Sequence, residues 1–195
     1  MKPQLVVLAG PNGAGKSTFR DAFLADSPLP FLNADIVAVA AGVDSLEAAR
    51  VLDATRERMI GAGESFITET VFSDPMGAKL AMLAHAVRSG YEVLLIFICV
   101  ESAELSARRV EQRVARGGHG VPLDRILSRY ARTLDNLEQA LAIVPVIELY
   151  DNSSVAEPFL LVATFRDGQV DYRAKGRLPA WTRGIVPPAR RSLKS

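Results

Sequence analysis

Apolar runs of strand length alternate along this chain with stretches whose apolar residues recur every three or four positions. The runs at 4–9, 31–33, 65–70, 91–100 and 146–150 predict strands. Val93-Leu94-Leu95-Ile96-Phe97-Ile98 is apolar at consecutive positions, so both of its faces are covered, as in a central parallel strand. Between the runs lie helices with readable ends. One covers 19–25. Asp44 and Glu47 form a capping-box pair that opens a helix to about residue 61. Asp74-Pro75 predicts an N-cap followed by proline at the first helical position; Met76, Leu80, Leu83 and Val87 then form one stripe, which Gly90 ends. Ser102 opens a helix to about residue 116, and Pro122 opens another with Ile126, Tyr130, Leu134, Leu137 and Leu141 on its apolar face.

The C-terminal part changes pattern. The run 159–165, the turn Arg166-Asp167-Gly168 and the run 170–172 predict a β-hairpin. Beyond Pro179 the prolines and Arg183, Arg190, Arg191 and Lys194 predict a loose basic tail. The alternation gives an α/β domain over 1–178, a parallel sheet flanked by helices with a C-terminal β-hairpin, and a tail over 179–195.

Composition narrows the function. The chain has 195 residues, 49% of them hydrophobic, enough for one domain with a sizeable core. Lys plus Arg is 23 and Asp plus Glu 22, a balance that argues against a dedicated nucleic-acid binder. The single cysteine, Cys99, excludes a disulfide framework and a zinc cluster and reads as a small buried hydrophobe. No run is long enough to span a membrane and no signal peptide is visible, so a cytoplasmic protein is expected.

The most specific chemistry follows the first run. Gly10-Pro11-Asn12-Gly13-Ala14-Gly15-Lys16-Ser17-Thr18 is a G-x-x-x-x-G-K-[ST] phosphate-binding loop, or P-loop. Its glycines let backbone N–H groups turn toward phosphate oxygens, Lys16 reaches the outer phosphates, and the Ser17 hydroxyl ligates Mg²⁺. The following helix adds its positive end. A strand before and a helix after are the context the motif needs, so the chain is expected to bind ATP with Mg²⁺.

Ligands of parallel α/β sheets bind beyond the carboxyl ends of the strands. Asp35 follows the second strand, where a carboxylate can take the proton of a hydroxyl attacking the γ-phosphate; the competing reading is an Asp capping the next turn. Glu69 and Thr70 end the third strand, where they can hold substrate or reach the metal through water; the competing reading is a solvated strand end. Arg109, Arg113 and Arg116 share one helix face, followed by Gly117-Gly118 and His119. Such a stripe either faces solvent or waits for an anion. With a glycine hinge behind it, the segment 108–122 fits a lid that delivers arginine to the triphosphate on closing. His119 and His85 read as structural. Asp151-Asn152 stands where it can touch adenine, although Asn in a turn needs no such explanation.

Together these pieces resemble the zeta toxin family of P-loop kinases, in its small stand-alone bacterial members. The residues that carry the resemblance are Gly10 to Thr18, Asn33-Ala34-Asp35, Glu69 to Ser73, Gly90-Tyr91, Arg109 to Pro122, Arg129-Tyr130 and Tyr150 to Ser153. It implies a nucleotide-kinase-like fold and transfer of the γ-phosphate of ATP to the 3′-hydroxyl of UDP-N-acetylglucosamine, a nucleotide sugar. It also implies Asp35 as base, Glu69 as substrate holder, and Arg109 and Arg116, with Arg113 a near alternative, as stabilisers of the transferring phosphoryl group. The founding members are held by an antitoxin protein. Two rivals remain: a kinase for another hydroxyl (a nucleoside, an antibiotic, a polynucleotide end), and a nucleotide-dependent switch acting through a protein partner.

Overall fold

The computed structural model describes residues 1–117 and 120–188. The chain runs β1(Gln4–Ala9), α1(Lys16–Phe23), β2(Phe31–Leu32), α2(Ala34–Ala41), α3(Ser45–Ala62), β3(Phe66–Thr70), α4(Ala78–Arg88), β4(Glu92–Cys99), α5(Ala103–Ala115), α6(Leu123–Ala140), β5(Val146–Asp151), β6(Leu160–Arg166) and β7(Gln169–Arg173). The strands form one seven-stranded sheet in the order β2-β3-β1-β4-β5-β6-β7. The first five strands in that order pair in parallel; β6 and β7 add the antiparallel hairpin at one edge.

β4 lies between β1 and β5, and its residues divide by parity. Val93, Leu95, Phe97 and Cys99 enter the larger core with Met59, Ile60, Leu80, Leu83 and Leu137, which come from α3, α4 and α6. Ile96 and Ile98 pack on the opposite face against Phe19 of α1. The continuous apolar run therefore reflects a strand covered on both sides. Cys99 is fully buried, and burial pushes its thiol up to about 12.

Helix ends follow their cap chemistry. The Asp44 carboxylate accepts from the N–H groups of Leu46 and Glu47 at the start of α3, which holds its pKa below the ordinary value. Ser102 accepts from the Leu105 N–H at the start of α5. α4 departs from expectation: it begins at Ala78, because Gly77 adopts a left-handed conformation. Asp74 still caps it, its carboxylate accepting from the N–H of Ala78 at 2.6 Å, but Met76 lies outside the helix and is 88% exposed. α2 is an additional helix. Its Ala/Val/Ile sequence has no polar period to mark it, and none of its residues is buried.

The segment beyond Pro179 is not loose throughout. Ala180–Thr182 forms a 3₁₀ turn, and Trp181, Ile185 and Val186 pack into the larger core. The basic residues of the segment obscure this anchor; Trp181 is the apolar group that holds it. Residues 189–195, with Arg190, Arg191 and Lys194, lie outside the described residues, as do Gly118 and His119 of the expected lid. Among the described residues, no helix is long and apolar enough to cross a membrane.

Candidate active site

The P-loop connects β1 to α1 and is shaped by two close approaches. Gly10 has φ +142°, and a Cβ there would lie 1.9 Å from the Ile98 carbonyl oxygen, so only glycine fits. Gly13 faces α5, where a Cβ would lie 2.6 Å from the Ser106 carbonyl oxygen. The loop is also clamped by side chains. The Ser106 hydroxyl donates to the Asn12 carbonyl, and Asn152 Nδ2 donates to the Ala14 carbonyl at 2.9 Å. The Asn152 N–H donates to the Cys99 carbonyl at 2.8 Å, so one residue after β5 ties the loop to the end of β4. Asn152 is thus a buttress of the loop. Asp151 is likewise committed, accepting from Trp181 Nε1 at 2.7 Å and from the Ser153 hydroxyl at 2.8 Å.

Lys16 opens α1 and is buried, while Ser17 and Thr18 are exposed at the same helix start. Its ammonium donates to the carbonyls of Gly10 at 2.9 Å and Pro11 at 3.1 Å and lies 3.9 Å from Glu69 Oε1. Burial lowers the Lys16 pKa; Glu69 and Asp35 oppose the shift, and Arg113 adds to it. A curled loop, a buried ammonium and an exposed hydroxyl at a helix N-terminus form a donor set suited to polyphosphate and one metal ion. Among the described residues, no group of three His, Cys, Asp or Glu side chains forms a metal cage. A Mg²⁺ held by one hydroxyl and phosphate oxygens needs none.

The acidic residues come together across β2 and β3. Glu69 Oε2 accepts from Asn33 Nδ2 at 3.0 Å, and Asn33 Oδ1 accepts from the Asp35 N–H at 2.7 Å. Asn33 is therefore the N-cap of α2, and Asp35 stands exposed in its first turn. A continuous line runs from Lys16 through Glu69 and Asn33 to Asp35. The Thr70 hydroxyl accepts from the Phe72 N–H, fixing the turn after β3, in which Phe72 has φ +62°.

The arginine stripe divides. Arg109 is half-buried, and its Nη2 donates to the Ser153 carbonyl at 3.4 Å; burial lowers its pKa and Asp151 opposes. Arg113 and Arg116 lie on exposed surface at the end of α5.

Sequence reading missed several contributors. Arg56, 2% exposed, donates from Nε to the Thr68 hydroxyl, from Nη1 to Asp53 and from Nη2 to the Glu69 carbonyl, each at 2.8 Å. The Thr68 hydroxyl donates onward to the Leu32 carbonyl at 3.0 Å. The signal was present: Arg56 falls on the buried face of α3 between Leu52 and Met59-Ile60, where an apolar side chain belongs. On α6, Arg125, Arg129 and Arg132 repeat the spacing of the α5 stripe. The pKa of Arg129 is lowered by burial and by its two neighbours, and Arg132 Nε donates to the Ser73 carbonyl at 3.2 Å. Thr133 and Asn136 donate to the carbonyls of Val71, Phe72 and Asp74, so α6 holds the loop after β3.

Comparison with known proteins agrees with this layout. Residues 5–138 match the family described as AAA domain. No curated protein matches the sequence. Among solved structures, the AvrRxo1-ORF1:-ORF2 structure with ATP aligns at TM-score 0.66 and 16% identity, covering 87% of this chain and 60% of that one. The structure described for the PezAT chromosomal toxin–antitoxin system of Streptococcus pneumoniae aligns at TM-score 0.53 and 18% identity, covering 92% and 75%. The Pnkp1/Rnl/Hen1 RNA repair complex contains a chain aligning at TM-score 0.56 and 17% identity, covering 70% and 46%. The chain thus spans about 60% of the AvrRxo1 chain, and these likenesses establish the P-loop kinase-like fold. With 5–138 matched and the P-loop, parallel sheet and flanking helices in place, the chain belongs to the AAA domain family.

Proposed function

We propose that this protein is an ATP- and Mg²⁺-dependent kinase that phosphorylates a small-molecule hydroxyl, the 3′-hydroxyl of UDP-N-acetylglucosamine being the leading acceptor through the zeta toxin resemblance. The observation that carries the kinase reading is the line Lys16–Glu69–Asn33–Asp35, which ends on the backbone N–H of Asp35 and so fixes that residue, with its exposed carboxylate, near the P-loop lysine. A switch or a simple nucleotide binder has no need of that carboxylate.

ATP with Mg²⁺ supplies the transferable γ-phosphoryl group when bound. Lys16 and backbone N–H groups within residues 12–18 would hold the phosphates, and the Ser17 hydroxyl would ligate the metal. Asp35 takes the proton of the acceptor hydroxyl as its oxygen bonds to the γ-phosphorus, the β–γ bridging bond breaks, and ADP leaves. Glu69 sits between Lys16 and Asn33, where it holds the acceptor side of the site in register, with Thr70 beside it. Arg109, Arg113 and Arg116 supply positive charge from α5 as negative charge develops on the phosphoryl oxygens. Arg129 extends that supply from α6. ATP and nucleotide sugars place the reaction in the cytoplasm. The protein partners named with AvrRxo1-ORF1 and in the PezAT system support an antitoxin-like protein partner as part of the same reading.

The test is ³¹P NMR of the protein with ATP, Mg²⁺ and UDP-N-acetylglucosamine. A sugar-phosphate resonance growing with ADP is the expected result. ADP forming at one slow rate with and without the sugar would remove this acceptor and return the search to other hydroxyls or to a protein partner.

A further inference from the structure

The end of β4 serves two parts of the proposed site at once. The Ile98 carbonyl lies against Gly10 at the start of the P-loop, where a Cβ would come within 1.9 Å of its oxygen. The Cys99 carbonyl accepts from the Asn152 N–H at 2.8 Å, and Asn152 holds the Ala14 carbonyl of the loop. The Val100 carbonyl accepts from the Tyr130 hydroxyl of α6 at 2.6 Å. Three successive carbonyls therefore seat the P-loop and α6 on one stretch of backbone. Val100 is fully buried, which limits competition from water for this bond.

Tyr130 stands where α6 leaves the core. C-terminal to it, Thr133, Asn136, Leu137 and Ala140 are buried. N-terminal to it the helix buries Ile126, which packs with Ala107 and Val110 of α5 in a small separate cluster. The Tyr130 hydroxyl ties this half of the helix to the sheet. Arg129 precedes Tyr130 in the chain, so the same bond fixes the backbone from which its guanidinium projects. That guanidinium is half-buried, its charged neighbours are Arg125 and Arg132, and among the described residues it forms no ion pair. A cation held among like charges is balanced when an anion arrives. Resting on the kinase reading above, we propose that Tyr130 is a positioning residue: through Val100 it holds Arg129 in register with the P-loop, so that this arginine meets the transferring phosphoryl group. It acts through Arg129 and not on the reactants.

The test compares Tyr130→Phe, Arg129→Ala and the double variant in the full chain. It measures ATP affinity and Lys16-dependent phosphoryl transfer to UDP-N-acetylglucosamine, adenosine and a 5′-hydroxyl oligonucleotide. Phenylalanine keeps the ring that packs on the larger core, and the Cys99 thiol still donates to the Val100 carbonyl at 3.4 Å, so this substitution leaves the fold intact. Tyr130→Phe is expected to lower kcat at least about tenfold with ATP affinity unchanged, since misplacing a reacting group by about 1 Å costs up to about 10²-fold. The double variant is expected to be no slower than Arg129→Ala, because both changes act through one guanidinium. An unchanged kcat in Tyr130→Phe, a loss of ATP affinity in its place, or losses that multiply in the double variant would each overturn the proposal and leave the kinase reading standing. No Lys16-dependent transfer to any of the three acceptors by the unsubstituted chain would overturn the kinase reading itself, and the role of Tyr130 with it.

Discussion

The Lys16 ammonium lies 3.9 Å from Glu69 Oε1 while donating to two carbonyls of its own loop. Burial lowers its pKa from the ordinary 10.5, against the pull of Glu69. In the folded protein without ligand the charged form is thus disfavoured: its cost to stability is full below the lowered pKa and disappears as pH rises toward 10.5. Phosphates act the other way, favouring the charged form. ATP binding should therefore take up protons as pH rises toward the lowered pKa, and Glu69→Gln should move that uptake to lower pH. Calorimetric titration in buffers of different ionisation enthalpy measures it; pH-independent proton uptake would contradict the assignment.

Asp35→Ala should lower kcat by at least about 10²-fold, the usual worth of a general base, with ATP affinity unchanged. Asp35 is exposed and makes its cap contact through its backbone N–H, so the fold does not depend on its carboxylate. Nucleotide binding beside steady-state turnover tests this, and unchanged turnover would refute the base.

The three α5 arginines should separate. Arg113→Ala and Arg116→Ala should each lower kcat by about 10³-fold if they act on the transferring group. Arg109→Ala should lower kcat by a similar factor and, because it also frees the Ser153 carbonyl, should in addition raise KM for ATP. Changes below about threefold would assign the stripe to solvated surface.

Arg56→Met should cost about 2–4 kcal/mol, because the Thr68 hydroxyl, the Glu69 carbonyl and Asp53 lose a buried donor. Urea unfolding measures it. A cost below about 1 kcal/mol would show that water replaces the guanidinium.

Trp181→Phe should destabilise by about 1–3 kcal/mol by leaving the Asp151 carboxylate without its 2.7 Å indole donor. Thermal unfolding followed by circular dichroism reads this, and an unchanged midpoint would remove Trp181 as an anchor.

The sequence by itself determined what depends on local pattern. The seven strands were placed within a residue or two: β4 by its continuous apolar run, which a strand covered on both faces needs, and β6 and β7 by the turn between them. The P-loop was legible because its glycines, Lys16 and Ser17 act through one contiguous stretch of backbone. Asp35 and Glu69 were legible as strand-end carboxylates. Only the tertiary structure decided that Asn33 joins them, since that bond crosses from β2 to β3. It also decided that Asn152 and Ser106 clamp the P-loop, that Arg56 holds the end of β3, and that Trp181 anchors the C-terminal segment. α2 escaped detection because its side chains have no buried face to impose a period. Each of these depends on groups far apart in the chain, and such pairings are fixed by the packing of the sheet and its helices.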